Sequence, residues 1–168
     1  MKIKPISPPV IQIVGYRNSG KTTLLCRLVN LLTERGWRVG TVKHDAHRFD
    51  IDHPGKDTWK HRLAGAETVA IVSEEQTAII RQRAVSLDEL LLEMDGLDLV
   101  LVEGYKWAPY PKIVLIRTEE HLPLLMQVSR LIAVVSWIPV SGTTVPVFDK
   151  DDDQGVFERV LQHVKEED

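Results

Sequence analysis

The sequence predicts an α/β fold in which helices cover both faces of a mostly parallel sheet. Two features of the chain support this prediction. Short apolar runs alternate with segments of helical periodicity from residue 10 to residue 164, which is typical of parallel strands joined by crossover helices. The first apolar run also leads directly through a glycine-containing turn into a segment with leucines at helical spacing.

The individual elements are predicted from periodicity and from the residues at each boundary. The first strand covers residues 10–14, between two prolines and Gly15, and the helix after it continues up to Gly36. Ser86 and Glu89 have the spacing of a capping box at the start of a later helix. The other predicted strands cover residues 37–42, 68–72, 77–81, 98–103, 113–116 and 131–135. The other predicted helices cover residues 57–64, 87–94 and 156–164.

Composition and charge exclude several classes of protein. With 168 residues, 43% of them hydrophobic and 27% charged, the chain is expected to form one domain over residues 1–168. A formal net charge of −3 at pH 7 gives no general attraction to nucleic acid. No apolar run is long enough to cross a membrane and the first residues do not resemble a secretion signal, so we expect a cytoplasmic protein. The single cysteine, Cys26, cannot form an internal disulfide and is expected to be a small buried residue.

Residues 15–22 match the pattern G-x-x-x-x-G-K-[ST] between the first strand and its helix. Such a loop binds polyphosphates because its glycines let the backbone wrap around them, while backbone N–H groups and the helix N-terminus face the anion. Lys21 adds a positive charge, and Thr22 is expected to place its hydroxyl on Mg²⁺. The motif therefore indicates a P-loop NTPase-type three-layer fold that binds a nucleoside triphosphate. The expected nucleotide-binding residues are Gly15, Asn18, Ser19, Gly20, Lys21, Thr22 and Thr23.

The acid that ends the strand over residues 98–103 is a second candidate. Ligands of parallel α/β sheets gather at the carboxyl ends of the strands. Glu103 ends its strand and so lies on the phosphate side, whereas Asp98 begins the strand at the opposite end. We expect Glu103 to hold Mg²⁺, directly or through water, or to orient the attacking group, which makes it both a metal and a catalytic candidate. The alternative is an ordinary solvated acid.

The long loop over residues 44–56 follows another predicted strand end and is rich in acids and histidines. Its spacing does not fit a zinc site. We expect Asp50 and Asp52 to ligate Mg²⁺ or to position water, and Asp45 is a candidate catalytic residue. A solvated polar loop is the alternative for these acids. The same alternative applies to the histidines, His44, His47 and His53.

Cations and aromatic residues near these acids indicate further contacts. Lys56 and Arg62, at the next predicted helix, are candidate contacts for phosphate or for an acidic partner, or else belong to a solvated helix face. Arg62 or Arg17 could also supply the arginine that accelerates nucleotide hydrolysis. Residues 105–107, two aromatics and a lysine, follow the strand-end glutamate and could pack a base or a partner. Trp137 follows a strand that borders the base in many nucleotide-binding sheets, but no Asn-Lys-x-Asp tetrad is present, so the motifs leave the nucleobase undecided.

Together these residues resemble the molybdopterin-guanine dinucleotide biosynthesis protein B family, a P-loop group that acts late in molybdenum cofactor assembly. The resemblance covers nearly the whole chain. Its most selective part is the segment Asp-x-Asp-x-Pro-Gly-Lys-Asp, which is followed by His-Arg-x-Ala-Gly-Ala. The matching segments are residues 15–23, 42–45, 49–58, 61–66, 101–106 and 111–113.

The resemblance implies a GTP-binding accessory protein that uses Mg²⁺, hydrolyses GTP weakly if at all and is usually a homodimer. Its partner would be molybdenum cofactor guanylyltransferase, the enzyme that joins GMP to molybdopterin. Residues 20–22 would bind the phosphates and Mg²⁺, Glu103 would lie beside the metal, and the acids of residues 44–56 would belong to a loop of variable conformation. Two other classes stay open. One is a small-molecule kinase with Asp45 as its base, and the other is an interaction module in which nucleotide only stabilises a dimer.

Overall fold

The computed structural model describes residues 8–45 and 49–167. The strands in chain order are β1 (Val10–Val14), β2 (Val39–Lys43), β3 (Thr68–Val72), β4 (Thr77–Arg81), β5 (Leu99–Glu103), β6 (Lys112–Ile116), β7 (Leu131–Ser136) and β8 (Val147–Asp149). The α-helices are α1 (Lys21–Thr33), α2 (Asp57–Leu63), α3 (Leu87–Glu93), α4 (Leu124–Gln127) and α5 (Asp153–Glu167). A short 3₁₀ helix covers Glu119–His121.

A parallel sheet in the strand order β2-β5-β1-β6-β7-β8 forms the centre of the fold. Its central strands β1, β5 and β6 are buried along their whole length, which explains why most of their residues are apolar. Leu28 of α1 and Phe157 of α5 lie in one core cluster with strand residues such as Ile113 and Leu115. Leu124 of α4 lies in a second cluster with the strand residues that alternate with these, such as Val114 and Ile116, which point to the other face of the sheet. The predicted α/β class, with a mostly parallel sheet, is confirmed.

The chain forms two compact units, Met1–His44 with Leu91–Asp168, and Asp45–Leu90. The second unit contains α2 and a separate antiparallel hairpin of β3 and β4. The sequence predicted both strands with their correct bounds, but they do not join the parallel sheet. Only residues 73–76 connect them, which is too short for a crossover helix and long enough for a hairpin turn. The single nucleotide-binding domain expected over residues 1–168 stays a prediction.

Other differences from the predicted elements concern short segments. An additional strand, β8, lies between the predicted strand over residues 131–135 and the predicted helix over residues 156–164, and it pairs in parallel with β7. The 3₁₀ helix and α4 were not predicted, because elements of three and four residues are too short to show periodicity. The last helix begins at Asp153, three residues before the predicted start.

Local features of the helices both support and correct the sequence analysis. The capping box at α3 is confirmed, because the Glu89 N–H donates to the Ser86 Oγ at 3.2 Å and the Ser86 N–H donates to the Glu89 Oε2 at 2.9 Å. The prediction that Cys26 is buried is wrong. The buried residues of α1 are Leu24, Leu25, Leu28 and Leu32. Cys26 lies outside this buried face and is exposed. Within the described residues, no helix combines the length and the apolar character needed to cross a membrane.

Candidate nucleotide-binding site

The loop between β1 and α1 has the backbone conformation that its glycines predict. Gly20 caps the N-terminus of α1 with φ +91°, and Asn18 also lies in the left-handed region at φ 58°. A Cβ at Gly15 would meet the Ser19 Oγ at 2.5 Å, and one at Gly20 would meet the Trp137 ring at 2.9 Å. The loop is thus packed tightly against itself and against Trp137. It ends at the N-terminus of a 13-residue helix, which is a favourable place for an anion.

Ser19 lies inside this loop with its side chain completely buried. Its hydroxyl has no hydrogen-bond partner within the part of the chain that the structure describes. A buried hydroxyl without a partner is unfavourable, since it has lost its hydrogen bonds to water. In this conformation the Ser19 hydroxyl faces Gly15 inside the loop and is not exposed to an anion.

Lys21 lies at the start of α1, where its ammonium group donates to the Tyr16 carbonyl across the loop at 2.7 Å. Burial lowers the pKa of Lys21, and the nearby cations Lys43 and Lys106 lower it further, whereas Glu103 opposes the shift. The Lys21 ammonium thus lies near two other ammonium groups and one carboxylate. Such a concentration of positive charge attracts polyphosphate.

Thr22 and Glu103 meet at the carboxyl end of β5. The Thr22 hydroxyl lies 3.0 and 2.9 Å from the two carboxylate oxygens of Glu103, which is only 7% exposed. The Lys43 ammonium is 3.5 Å from the same carboxylate. Asp98 lies at the opposite end of β5, as its position in the sequence indicated. There it pairs with Arg38.

The Thr22 and Glu103 oxygens fit Mg²⁺, which prefers oxygen ligands and usually completes its coordination with phosphate and water. Among the described residues, no group of three or more His, Cys, Asp or Glu is arranged to hold a metal ion. Thr22 and Glu103 would provide only part of the coordination sphere of such an ion, and a bound triphosphate with water would supply the rest.

Two buried polar residues hold the loop that follows Glu103. Gln12 of β1 and Lys112 of β6 are partners in the sheet register, and both are completely buried. The Gln12 amide donates to the carbonyls of Gly104 and Tyr105 at 3.0 and 2.7 Å. The Lys112 ammonium, whose pKa is lowered by burial and then by Arg130, donates to carbonyls at the other end of the same loop. These bonds fix residues 104–111 at the edge of the phosphate loop.

The loop held by Gln12 and Lys112 places Lys106 against aromatic rings. The Lys106 ammonium lies 4.7 Å from the centre of the Tyr16 ring and 5.5 Å from that of Trp107, both distances typical of cation–π contacts. Arg117 also reaches the phosphate loop, where it donates to the Asn18 carbonyl at 2.7 Å. The roles of three of these residues were not predicted from the sequence, namely those of Gln12, Lys112 and Arg117. The first two had a visible signal, because each is a polar residue within an apolar strand.

The acids of the second unit have a different environment. The Arg62 guanidinium donates to Asp50 at 3.0 Å and to Asp52 at 3.3 Å, and the Thr58 hydroxyl donates to Asp52 at 2.9 Å. The hydrogen bond with Asp50 is the largest cause of a raised pKa of Arg62. Two roles stay predictions: metal binding by Asp50 and Asp52, and the phosphate contact of Arg62. Each would require the Arg62 guanidinium to separate from the two carboxylates.

The remaining candidates of the loop over residues 44–56 are placed as follows. His44 belongs to the first unit, where its ring packs against Tyr105 with 4.5 Å between ring centres. Asp45 and Lys56 are exposed, and Lys56 occupies the N-cap position of α2. His47 lies outside the described residues. The catalytic role of Asp45 stays a prediction.

Known proteins are similar to this chain in sequence and in fold. The profile of the family described as molybdopterin guanine dinucleotide synthesis protein B matches residues 10–137. A curated relative from Haemophilus influenzae, a molybdopterin-guanine dinucleotide biosynthesis adapter protein, is 44% identical over 120 residues, which are 69% of this chain and 67% of the relative. The Escherichia coli protein of the same name is 35% identical over 167 residues, which are 95% of each chain.

Solved structures are also similar to this chain in fold. A MobB protein homolog from Bacillus stearothermophilus has a TM-score of 0.76 at 36% identity, covering 93% of this chain and 97% of that chain. HypB from Helicobacter pylori, solved in complex with nickel, is similar in fold alone, with a TM-score of 0.55 at 15% identity over 96% of this chain and 89% of that chain. The chain therefore belongs to the molybdopterin guanine dinucleotide synthesis protein B family.

Proposed function

We propose that this protein is a GTP-binding accessory protein of molybdenum cofactor biosynthesis. It assists molybdenum cofactor guanylyltransferase, the enzyme that attaches GMP to molybdopterin. The observation that carries the proposal is the phosphate loop with Thr22 against the buried Glu103 carboxylate. The name of the relatives, molybdopterin-guanine dinucleotide biosynthesis adapter protein, supports the pathway.

In the bound state, the backbone N–H groups of residues 15–23 surround the phosphates, and Lys21 leaves the Tyr16 carbonyl to pair with them. The Thr22 hydroxyl and the Glu103 carboxylate would hold Mg²⁺, directly or through water. Magnesium would neutralise charge on the phosphates. The 3.5 Å separation between Lys43 and Glu103 leaves this carboxylate without a tight ion pair to break.

Hydrolysis of GTP is proposed to be slow in the isolated protein. Fast hydrolysis usually needs an arginine on the transferring phosphate and a group that orients water, and the arginine alone is worth roughly 10³ to 10⁵ in rate. Arg62 already donates to two carboxylates, and Arg117 donates to the Asn18 carbonyl. Arg17 is exposed within the loop and is the best placed of the predicted arginines to act later, when a partner is bound.

A homodimer fits the exposed hairpin of the second unit. Ile71, Val72 and Ile79 are 55%, 69% and 55% exposed on β3 and β4. A two-stranded hairpin is marginally stable by itself, and exposed apolar side chains on such strands favour association with another surface. We propose that a second copy of the chain covers these residues. A cytoplasmic location is part of the same proposal, since the guanylyltransferase reaction consumes GTP.

The proposed function is tested by reconstituting the guanylyltransferase with molybdopterin, GTP and Mg²⁺, with and without this protein. We expect the wild type to raise the yield of the guanine dinucleotide and Lys21→Ala to lose this effect. Lys165→Ala removes the same charge from the exposed end of α5 and should behave as the wild type. An unchanged yield with the wild type would contradict the proposal. A small molecule that instead accelerates nucleotide consumption by accepting phosphate would favour the kinase alternative.

A further inference from the structure

A cavity of about 230 Å³ adjoins the phosphate loop. Gly20 and Thr23 line it on one side, so it begins at the residues that flank Lys21 and Thr22. Because the cavity and the loop share these residues, a nucleotide whose phosphates lie on the loop has its nucleoside within reach of the cavity. The cavity is smaller than the roughly 300 to 1,000 Å³ of pockets that enclose a whole drug-sized ligand, and it suits the base rather than the complete nucleotide.

The walls of the cavity have the chemistry of a base site. Leu115 and Val135, from the ends of β6 and β7, supply an apolar surface, and the indole of Trp137 supplies an aromatic one. The Trp137 ring lies so close to the loop that a Cβ on Gly20 would approach it to 2.9 Å. Flat apolar and aromatic surfaces bind any nucleobase, so selectivity must come from the polar residues of the cavity.

Those polar residues include Lys150 and Asp151, from an acidic segment between β8 and α5. The other acids of the segment have local structural roles. Asp149 accepts a hydrogen bond from the Asp151 N–H at 3.0 Å, Asp152 accepts one from the Gly155 N–H at 2.9 Å at the start of α5, and Asp153 pairs with Arg27 at 3.1 Å. Asp151 differs from them, because it lines the cavity and its carboxylate pairs with the ammonium of Lys150.

The Lys150 and Asp151 pair matches one edge of guanine. Guanine carries two donors, its N1–H and its 2-amino group, next to the acceptor O6. An ionised carboxylate accepts both donors, and an ammonium group donates to O6. The hydrogen bond from Lys150 lowers the pKa of Asp151, so this carboxylate is ionised at neutral pH. Adenine would oppose the lone pair of its N1 to the carboxylate, which is repulsive.

We propose that this cavity is the base site, that Trp137 packs against the base, and that Asp151 with Lys150 selects guanine over adenine. The inference rests on the proposed function, since it assumes that the phosphates occupy the loop. It explains how the protein recognises guanine although the chain contains no Asn-Lys-x-Asp tetrad.

The test is a titration of the wild type and Asp151→Asn with GTP, ATP and xanthosine triphosphate in Mg²⁺. Xanthine has a carbonyl where guanine has the 2-amino group, and an asparagine amide donates to that carbonyl while its oxygen accepts the N1–H. We expect the wild type to prefer GTP to each of the others by roughly tenfold to a hundredfold. Asp151→Asn should lose this preference and bind xanthosine triphosphate better than GTP.

The matched control is Asp152→Asn, the same substitution one residue away, because asparagine replaces aspartate well at the start of a helix. It should keep the preference for GTP. Lys150→Met is the second variant and should lose part of the preference for GTP over ATP, which tests the site if Asp151→Asn fails to fold.

Three results would overturn the inference, and they differ in what else they affect. Equal affinity of the wild type for GTP and ATP, or an unchanged preference in Asp151→Asn, removes the base site and leaves the phosphate loop and the proposed function in place. Failure of the wild type to bind any of the three triphosphates overturns this inference and the proposed function together.

Discussion

The phosphate loop and the second unit both bring cations and acids together, but their cations have different partners. In the phosphate loop, the Lys21 ammonium donates to the main-chain carbonyl of Tyr16. In the second unit, the Arg62 guanidinium donates to the carboxylates of Asp50 and Asp52. A carbonyl is neutral and leaves the charge of Lys21 available to an anion, whereas two carboxylates already neutralise Arg62. A cation that is to bind an anion thus keeps more of its charge available when its partner is a neutral carbonyl than when two carboxylates already pair with it.

Lys112 has neutral partners, as Lys21 does, but is not a binding group. Its ammonium also donates to carbonyls, those of Ala108 and Tyr110, but the side chain is completely buried. No anion can approach it without disrupting the sheet. A neutral partner is therefore not sufficient to make a cation a binding group, because the cation must also be accessible.

The largest expected effect is that of Lys21→Ala on nucleotide affinity. Removing a charged donor to phosphate should weaken GTP binding by roughly tenfold to a hundredfold. The measurement is isothermal titration of both proteins with GTP in Mg²⁺. Arg62→Ala is the comparison variant and should bind GTP nearly as the wild type does. Equal losses of affinity in the two variants would show that the partner of each cation does not decide its role.

Glu103→Gln is expected to act on the metal rather than on the phosphates. The carboxamide keeps the size of the side chain but removes the charge that attracts Mg²⁺, so Mg²⁺ affinity in the presence of GTP should fall by roughly tenfold. Titrations with and without Mg²⁺ measure this coupling. Asp98→Asn, at the other end of the same strand, removes the same charge and should leave the coupling intact. A coupling that survives Glu103→Gln would exclude this carboxylate as a metal ligand.

Lys112→Met should change stability more than binding. Methionine fills a similar volume but leaves the Ala108 and Tyr110 carbonyls without their donor, which should lower the free energy of unfolding by about 1–3 kcal/mol. Urea unfolding of the wild type and the variant gives this difference. A more stable variant would mean that the desolvation of the buried ammonium exceeds the value of its hydrogen bonds.

The smallest expected effect is that of Arg62→Ala on the second unit. The variant loses the bridge between Asp50 and Asp52, so protease cleavage within the segment of residues 49–63 should become faster. The melting temperature should fall by a few degrees, because Asp50 is exposed and contributes little, whereas Arg62 and Asp52 are largely buried and their separation costs more. Limited proteolysis with mapping of the cleavage sites measures the local change. Lost GTP turnover in this variant would instead restore Arg62 as a hydrolytic residue.

The sequence could predict those parts of the site that depend on neighbours along the chain. The glycines, Lys21 and Thr22 form one continuous motif, and the end of a parallel strand indicates where Glu103 lies. The main sheet could be predicted because its buried strands are short apolar runs. The hairpin of β3 and β4 could not be separated from that sheet by its strand pattern alone, since pairing depends on the length of the connection.

The parts that could not be predicted depend on contacts between distant residues. Composition shows that Asp50, Asp52 and Arg62 are charged, but only the folded chain shows that the arginine takes both carboxylates. Gln12 and Lys112 come together through the register of β1 and β6, 100 residues apart. Such partners leave only a weak signal, a polar side chain where an apolar one is expected.

The most direct test of the account is the binding of GTP to the wild type, measured by titration with and without Mg²⁺. We predict saturable binding of one GTP per chain, with a higher affinity when Mg²⁺ is present, because Thr22 and Glu103 then hold the metal beside the phosphates. Absence of binding at millimolar GTP, or an affinity that does not respond to Mg²⁺, would contradict the account.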